Sequence, residues 1–304
     1  MKKALIAIGL ILGTITVAII GYGIYLYSSI QNTAGEMHEP LDRGDKSDKR
    51  DAAFDISAQD PFSILIAGVD SREDTHAGRS DTLIVLTVNP KEESIKMLSI
   101  PRDTRTEIVG RGTDDKINHA YAFGGAQMTI DTVENFLDIP IDHYVSINMD
   151  GFTQLVDALG GVSVENAFAF SQNGYQFEEG EIFLETGDEA LAYARMRKQD
   201  NRGDFGRNDR QRQIVEAVIK QGAQFSSITK AGAILDAVGE SVRTDLQLDG
   251  MWELQSNYRG AAKNIEHLEI TGEGTRINNI YYLIIPQEEI ARVQGELKSH
   301  LELS

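Results

Sequence analysis

Apolar residues in this chain are gathered into one long uncharged run and then into short runs separated by glycine, proline and charge. Met1, Lys2 and Lys3 are followed by twenty-four residues, 4–27, without a charge. A helix rising ~1.5 Å per residue would be roughly 36 Å long here, enough to cross a hydrocarbon core of ~30 Å with some tilt. Lys2 and Lys3 place the N-terminal side in the cytoplasm, and Tyr22, Tyr25 and Tyr27 suit the outer interface. The pattern thus predicts a cytoplasmic tail (1–3), a single-pass type II signal-anchor (4–27) and an extracellular remainder. A cleaved signal peptide is the alternative, but the run exceeds an ordinary signal core and no Ala-x-Ala site directly follows it. Gly9 and Gly13 form a GxxxG, frequent by chance in apolar segments, and we assign it no function.

Residues 28–61 are polar and mixed in charge, the pattern of a flexible extracellular linker. Beyond Pro61 a domain is expected over 62–304. Residues 62–68, 82–88 and 94–100 read as buried strands, the last two joined by a hairpin turn at Asn89-Pro90-Lys91. Residues 124–138 repeat apolar positions at helical spacing, 143–148 alternate as a strand, and 150–159 read as a helix stopped by Gly160 and Gly161. Helices follow at 211–221, 234–238 and 250–258, strands at 264–270 and 277–285, and a terminal helix at 287–301. This order implies an α/β fold: a single domain whose central, mostly buried mixed β-sheet is flanked by helices on both faces.

Composition narrows the function. At 41% hydrophobic and 25% charged, 304 residues suffice for a sizeable core. With no cysteine, thiol and disulfide chemistry are excluded, and a net charge of −18 argues against nucleic acid as a partner.

Against that acidity stands residues 195–212, where six arginines and one lysine face three aspartates, leaving +4. So many cations repel one another unless an anion or carboxylates compensate them. Arginine favours bidentate recognition of phosphate or carboxylate. Arg195 and Arg197, two apart, share a face on a strand or extended turn; Arg207, Arg210 and Gln211 line one side of a helix near its first turn. A salt-bridged surface helix balanced by Asp200, Asp204 and Asp209 is the competing reading.

Two acids sit at strand ends: Asp70 closes the first strand and Asp81 opens the second. Neighbouring strands would bring both carboxylates together beside Arg72 and Arg79, where two carboxylates and phosphate oxygens make a usual Mg²⁺ shell; turn or cap roles are the alternative. Arg102 leaves the third strand behind Pro101, at a sheet edge where α/β folds place ligands, or is an exposed loop residue. Lys116 adds a cation. No histidine pair has metal-like spacing, and no P-loop, EF-hand or Gly-x-Ser-x-Gly elbow is present.

The ordered motifs Ile66-Ala-Gly-Val-Asp-Ser-Arg72, Arg79-Ser-Asp-Thr82, Ser99-Ile-Pro-Arg-Asp-Thr104, Lys116-Ile-Asn-His-Ala-Tyr121, Leu155-Val-Asp-Ala-Leu-Gly-Gly-Val162, Ala190-Leu-Ala-Tyr-Ala-Arg-Met-Arg197 and Gly203-Asp-Phe-Gly-Arg-Asn-Asp-Arg-Gln211 resemble those of the LytR-CpsA-Psr family across residues 62–220. The resemblance implies a membrane-anchored phosphotransferase. It would move an anionic cell-wall glycopolymer, most closely wall teichoic acid, from a polyprenyl pyrophosphate carrier to a peptidoglycan sugar hydroxyl. An apolar tunnel would hold the prenyl chain. Carried over by residue, Asp70 and Asp81 hold Mg²⁺ or Mn²⁺, and Arg79, Arg102, Lys116, Arg195, Arg197, Arg207, Arg210 and Gln211 bind the pyrophosphate. Arg102, Arg195, Arg197, Asp70 and Asp81 are the expected catalytic groups, with Asp70, Asp81 or Asp103 as proton acceptor. A polyprenyl pyrophosphate phosphatase and a non-enzymatic transcriptional attenuator are the rival readings.

Overall fold

A computed structural model describes residues 27–44, 46–71, 78–224 and 228–303. The expected tail and nearly all of the expected anchor lie outside the described residues, and no helix among those described is long and apolar enough to cross a membrane.

The first three strands, β1 (Phe62–Val69), β2 (Ser80–Asn89) and β3 (Ser94–Ser99), form an antiparallel meander. Two small strands, β4 (Arg105–Ile108) and β5 (Thr113–Lys116), form a hairpin, and helix α2 (His119–Leu137) follows. β6 (His143–Asn148) then returns parallel to β1, so the sheet is mixed. With β11 (Val242–Thr244) and β12 (Asn264–Leu268) at its edges, its order is β11-β6-β1-β2-β3-β12.

Period-two alternation sorts the side chains of these strands onto two faces. Leu65, Ala67, Val69, Leu83 and Val85 pack with Ile130 and Val133 of α2 and with Val293 and Leu297 of the last helix, Gln287–His300. On the opposite face Phe62, Ile84, Leu86 and Val88 meet Leu254 and Tyr258 of the helix Leu248–Tyr258, with Val215 and Ile219 of the helix Asp204–Gly222 against them. The sheet is therefore covered on both sides.

The remaining elements build the flank that carries the site. Helix α3 (Met149–Leu159) is capped by the Asn148 side chain on Gly151 N–H and ends at Gly160 in the left-handed region. Of the short strands β7 (Val162–Asn166), β8 (Phe170–Gln172), β9 (Tyr175–Phe177) and β10 (Gly180–Leu184), β7 pairs with β10 and encloses the hairpin β8–β9, beside α4 (Gly187–Arg195) and α5 (Asp204–Gly222). Their apolar residues form a second cluster around Tyr193 and Met196. The chain finishes with α6 (Ile228–Val238), β11, α7 (Leu248–Tyr258), β12, the hairpin β13 (Glu273–Ile277) and β14 (Ile280–Ile284), and α8 (Gln287–His300).

Several expectations are corrected. The segment 28–61 is not a free linker: residues 27–37 form a helix, α1, whose Ile30, Ala34 and Met37 are buried, and Thr33 hydrogen-bonds to Asp236 at 2.8 Å. Arg43 pairs with Glu134 at 2.9 Å, and Arg50 grips Asp142 with two nitrogens. These cations spend their charge on partners far along the chain, and composition alone does not reveal those partners. The strand expected over 277–285 is a hairpin turning at Asn278 and Asn279, both at positive φ. The helix expected from residue 124 starts at His119 but is non-helical at Gly124 and Gly125.

Candidate anion-binding site and apolar cavity

The site forms where β1 ends and β2 begins. Gly68 pairs with Thr82, but Val69 pairs with Ser80, which leaves Asp81 as the extra residue of a β-bulge. Bulges re-aim side chains, and this one turns Asp81 out over the sheet edge. Asp70 N–H (3.0 Å) and Asp81 N–H (3.1 Å) both donate to the Arg79 carbonyl, so one peptide group sets the spacing of the two acids. Gly68 is required here, because a Cβ would stand 2.9 Å from Thr82 Cβ.

Arg102 reaches into this corner. Its Nη1 donates to Asp81 at 2.8 Å, and its other nitrogens approach Asp103 (3.8 Å) and Asp204 (3.9 Å). Asn118 Nδ2 donates to the second Asp81 oxygen at 3.0 Å, and Lys116 binds Asp103 at 2.6 Å. Asp204, in the first turn of α5, also takes Arg207 at 3.0 Å and Arg197 at 3.7 Å. Carboxylates thus occupy the guanidinium forks that an incoming dianion would claim. Burial pushes the Arg207 guanidinium below its ordinary value, with Asp204 opposing, and its Nε has no hydrogen-bond partner among the described residues.

Below this cluster lies a cavity of ≈ 260 Å³, lined by Ile66, Val69, Ile147, Phe152, Leu191 and Val215, with Asp70, Asp81, Arg195, Arg207 and Gln211 as its polar wall. An apolar pocket with a few convergent charges is the usual form of a ligand site. Further along α3 and α5 a larger cavity of ≈ 610 Å³ is lined by Leu155, Leu159, Val218 and Leu235. Phe152, Leu155 and Leu159 step along one face of α3, as Val215, Val218 and Gly222 do on α5, so the two spaces follow one groove between the helices.

The structure brings together Asp70, Asp81, Arg102, Arg195, Arg197, Arg207 and Gln211, with Lys116 one carboxylate further out. Arg195 is the last residue of α4 and its only hydrogen-bond partner among the described residues is the Met149 sulfur at 3.1 Å. The expected shared strand face for Arg195 and Arg197 is replaced by a helix end: Met196 turns extended and buries its side chain between them. Arg79 is exposed and serves the corner through its carbonyl. Arg72 lies outside the described residues.

Arg210 departs from expectation. Residues 207 and 211 are one turn apart on α5 and face the cavity, whereas Arg210 points to the other flank. There its guanidinium binds Asp200 at 2.8 Å and the Met196 carbonyl, with Phe170 beneath it. Asp200 is raised by burial, but the Arg210 and Arg202 contacts outweigh this and hold its carboxyl below the usual range. Asn118 was not expected at the site, and Asp204 was named only as a balancing carboxylate of a surface helix. Asp204 carried a signal, since an acid in the first turn of an arginine-rich helix faces its own cations.

Fold and site together define an α/β protein with a cluster of arginines and carboxylates at the polar end of an apolar space. The chain belongs to the LytR_cpsA_psr family, whose sequence profile matches residues 24–299. It is similar to the polyisoprenyl-teichoic acid–peptidoglycan teichoic acid transferase TagU of Halalkalibacterium halodurans, 98% identical over 304 residues and 100% of both chains. It is also similar to the protein of that name from Bacillus subtilis, 52% identical over 301 residues, 99% of this chain and 97% of that one. Among solved structures, B. subtilis TagU superposes with a TM-score of 0.67 at 52% identity, covering 81% of this chain and 98% of that one. TagT bound to LI-WTA superposes with a TM-score of 0.75 at 33% identity, covering 88% and 100%.

Proposed function

We infer that this chain is a polyisoprenyl-teichoic acid–peptidoglycan teichoic acid transferase. The observation that carries the reading is the arginine–carboxylate cluster at the polar end of an apolar groove. The prenyl chain of the donor lies in the groove, and its pyrophosphate displaces Asp81 and Asp204 from Arg102, Arg197 and Arg207, with Arg195 and Gln211 on the same wall. Lys116 and Arg79 flank this set.

A peptidoglycan hydroxyl attacks the polymer-side phosphorus. The bond from that phosphorus to the bridging oxygen breaks, polyprenyl phosphate leaves, and a phosphodiester joins polymer to glycan. Guanidinium groups stabilise the charge growing on the bridging oxygen, the largest contribution in phosphoryl transfer. The hydroxyl proton passes to Asp70, Asp81 or Asp103.

Asp70 and Asp81 suit Mg²⁺ or Mn²⁺. Both flank the mouth, and among the described residues no three carboxylates or histidines are placed to hold one ion, so phosphate oxygens and water would complete the shell. Such an ion would neutralise phosphate charge. Residues 4–27 would hold the domain on the outer face of the membrane.

The test is transfer by the full-length protein with lipid-linked polymer, Mg²⁺ and peptidoglycan. Covalent product is expected. Equal release of polyprenyl phosphate with and without glycan would make the protein a phosphatase, and protection of residues 62–304 from protease in intact protoplasts would place the domain inside the cell.

A further inference from the structure

The corner that holds Arg102 is bordered by two cavities of different character. One is the apolar groove already described. The other, of ≈ 440 Å³, opens past Pro101, the residue before Arg102, and past Phe205, the residue after Asp204. The turn Glu269–Gly272 forms its far wall.

That wall is held in place. Thr271 N–H donates to Glu289 at 3.0 Å, and Arg292 donates to the Glu269 carbonyl at 2.6 Å. The near wall is the first two turns of α5, where Phe205 is 39% exposed. Beside it Asn208 lines the same cavity and is 8% exposed. An exposed ring next to a polar amide and fixed backbone is a surface for a sugar: the ring takes the C–H face, the amide a hydroxyl or acetamido group.

We propose that this second cavity is the subsite for the acceptor glycan, with Phe205 as the stacking surface and Asn208 as its polar anchor. The inference rests on the transferase reading and deepens it. Its geometry follows from the reaction. The leaving polyprenyl phosphate departs toward the apolar groove, and the attacking and leaving oxygens lie roughly in line. The attacking hydroxyl therefore arrives from the other border of the arginine corner, where Phe205 and Asn208 stand. α5 separates the two ligands by its own periodicity: Arg207, Gln211 and Val215 face the groove, while Phe205, Asn208 and Arg212 face the second cavity.

The experiment compares wild-type protein with Phe205→Leu, Phe205→Tyr and Asn208→Ala, using lipid-linked donor and soluble uncross-linked peptidoglycan strands. F205L and N208A are expected to raise KM for the strands about fivefold to tenfold, leave donor KM within about twofold, and keep kcat at saturating acceptor. F205Y, which retains the ring, is expected to behave as wild type. A rise in donor KM, or unchanged constants in both variants, overturns the proposal. Binding of the same strands to donor-free protein answers independently of turnover: loss in F205L supports the subsite, and equal binding by F205L and wild type refutes it. Absence of transfer by wild type would instead count against the transferase reading.

Discussion

Arg102 and Asp81 meet at 2.8 Å from the ends of different strands, and Asp81 is there because a bulge adds one residue to β2. The contact is about a quarter open to solvent, at 21% and 28% side-chain exposure, so it contributes little to stability, roughly 0–1 kcal/mol. On the proposed reading its weight lies in ligand binding. Arg102→Ala should lower kcat/KM for transfer by about 100-fold or more while the urea midpoint barely moves. Arg102→Lys should recover only part of the loss, because an ammonium lacks the planar fork. Wild-type kinetics in Arg102→Ala would remove the residue from the site.

Arg210 should behave in the opposite way. Its side chain and that of Asp200 are 4% and 1% exposed, and without Arg210 the buried carboxylate keeps only the longer side-chain contacts of Arg202 at 3.4 Å. Arg210→Ala is expected to destabilise the fold by about 3–5 kcal/mol in urea unfolding. Gly206→Ala reaches the same pair by another route, since a Cβ at residue 206 would fall 1.8 Å from Asp200 Oδ2. A wild-type midpoint in both variants would contradict this placement.

Filling the groove should discriminate among donors by length. Leu191→Trp or Val215→Trp adds bulk to the ≈ 260 Å³ cavity and should raise KM for long-chain polyprenyl donors more than for short-chain ones. An equal effect on both chain lengths would place the lipid elsewhere.

The sequence disclosed the sheet better than the flank. Strands β1, β2, β3 and β6 are continuous apolar or alternating runs, and their ends place Asp70, Asp81 and Arg102 at one edge. The strand pairs β7–β10 and β8–β9 were not anticipated, because three- to five-residue strands give too few repeats to establish a period. Seven of the expected ligand residues could be gathered from motifs and charge. The inward turn of Arg210 could not: it depends on Asp200 and on the Met196 carbonyl, and three residues of spacing on a helix permit either flank. Residues 28–61 misled for the same reason, since a polar segment looks free until its ionic partners are known.

Acid should weaken the fold through His300. Its ring is 2% exposed and lies between the hydroxyls of Thr87 (2.7 Å) and Ser94 (2.9 Å), with Glu92 at 3.8 Å. Burial lowers its pKa, with Lys96 acting the same way and Glu92 and Glu266 opposing. The unfolded chain therefore takes up the proton first, near pH 6.5, so this contribution is complete above that pH and is lost as pH falls below it. His300→Gln should flatten the decline in urea midpoint between pH 7.5 and 5.5. An unchanged slope would assign the decline to other groups.

The fastening of residues 27–61 has a mechanical outcome. Arg43, Arg50 and the packed face of α1 weld this stretch to the body of the protein, so anything preceding residue 27 is mounted on a stiff bracket. Tilting that mount tilts the arginine corner with it. A single nick between residues 38 and 61 would leave the two pieces clasped together.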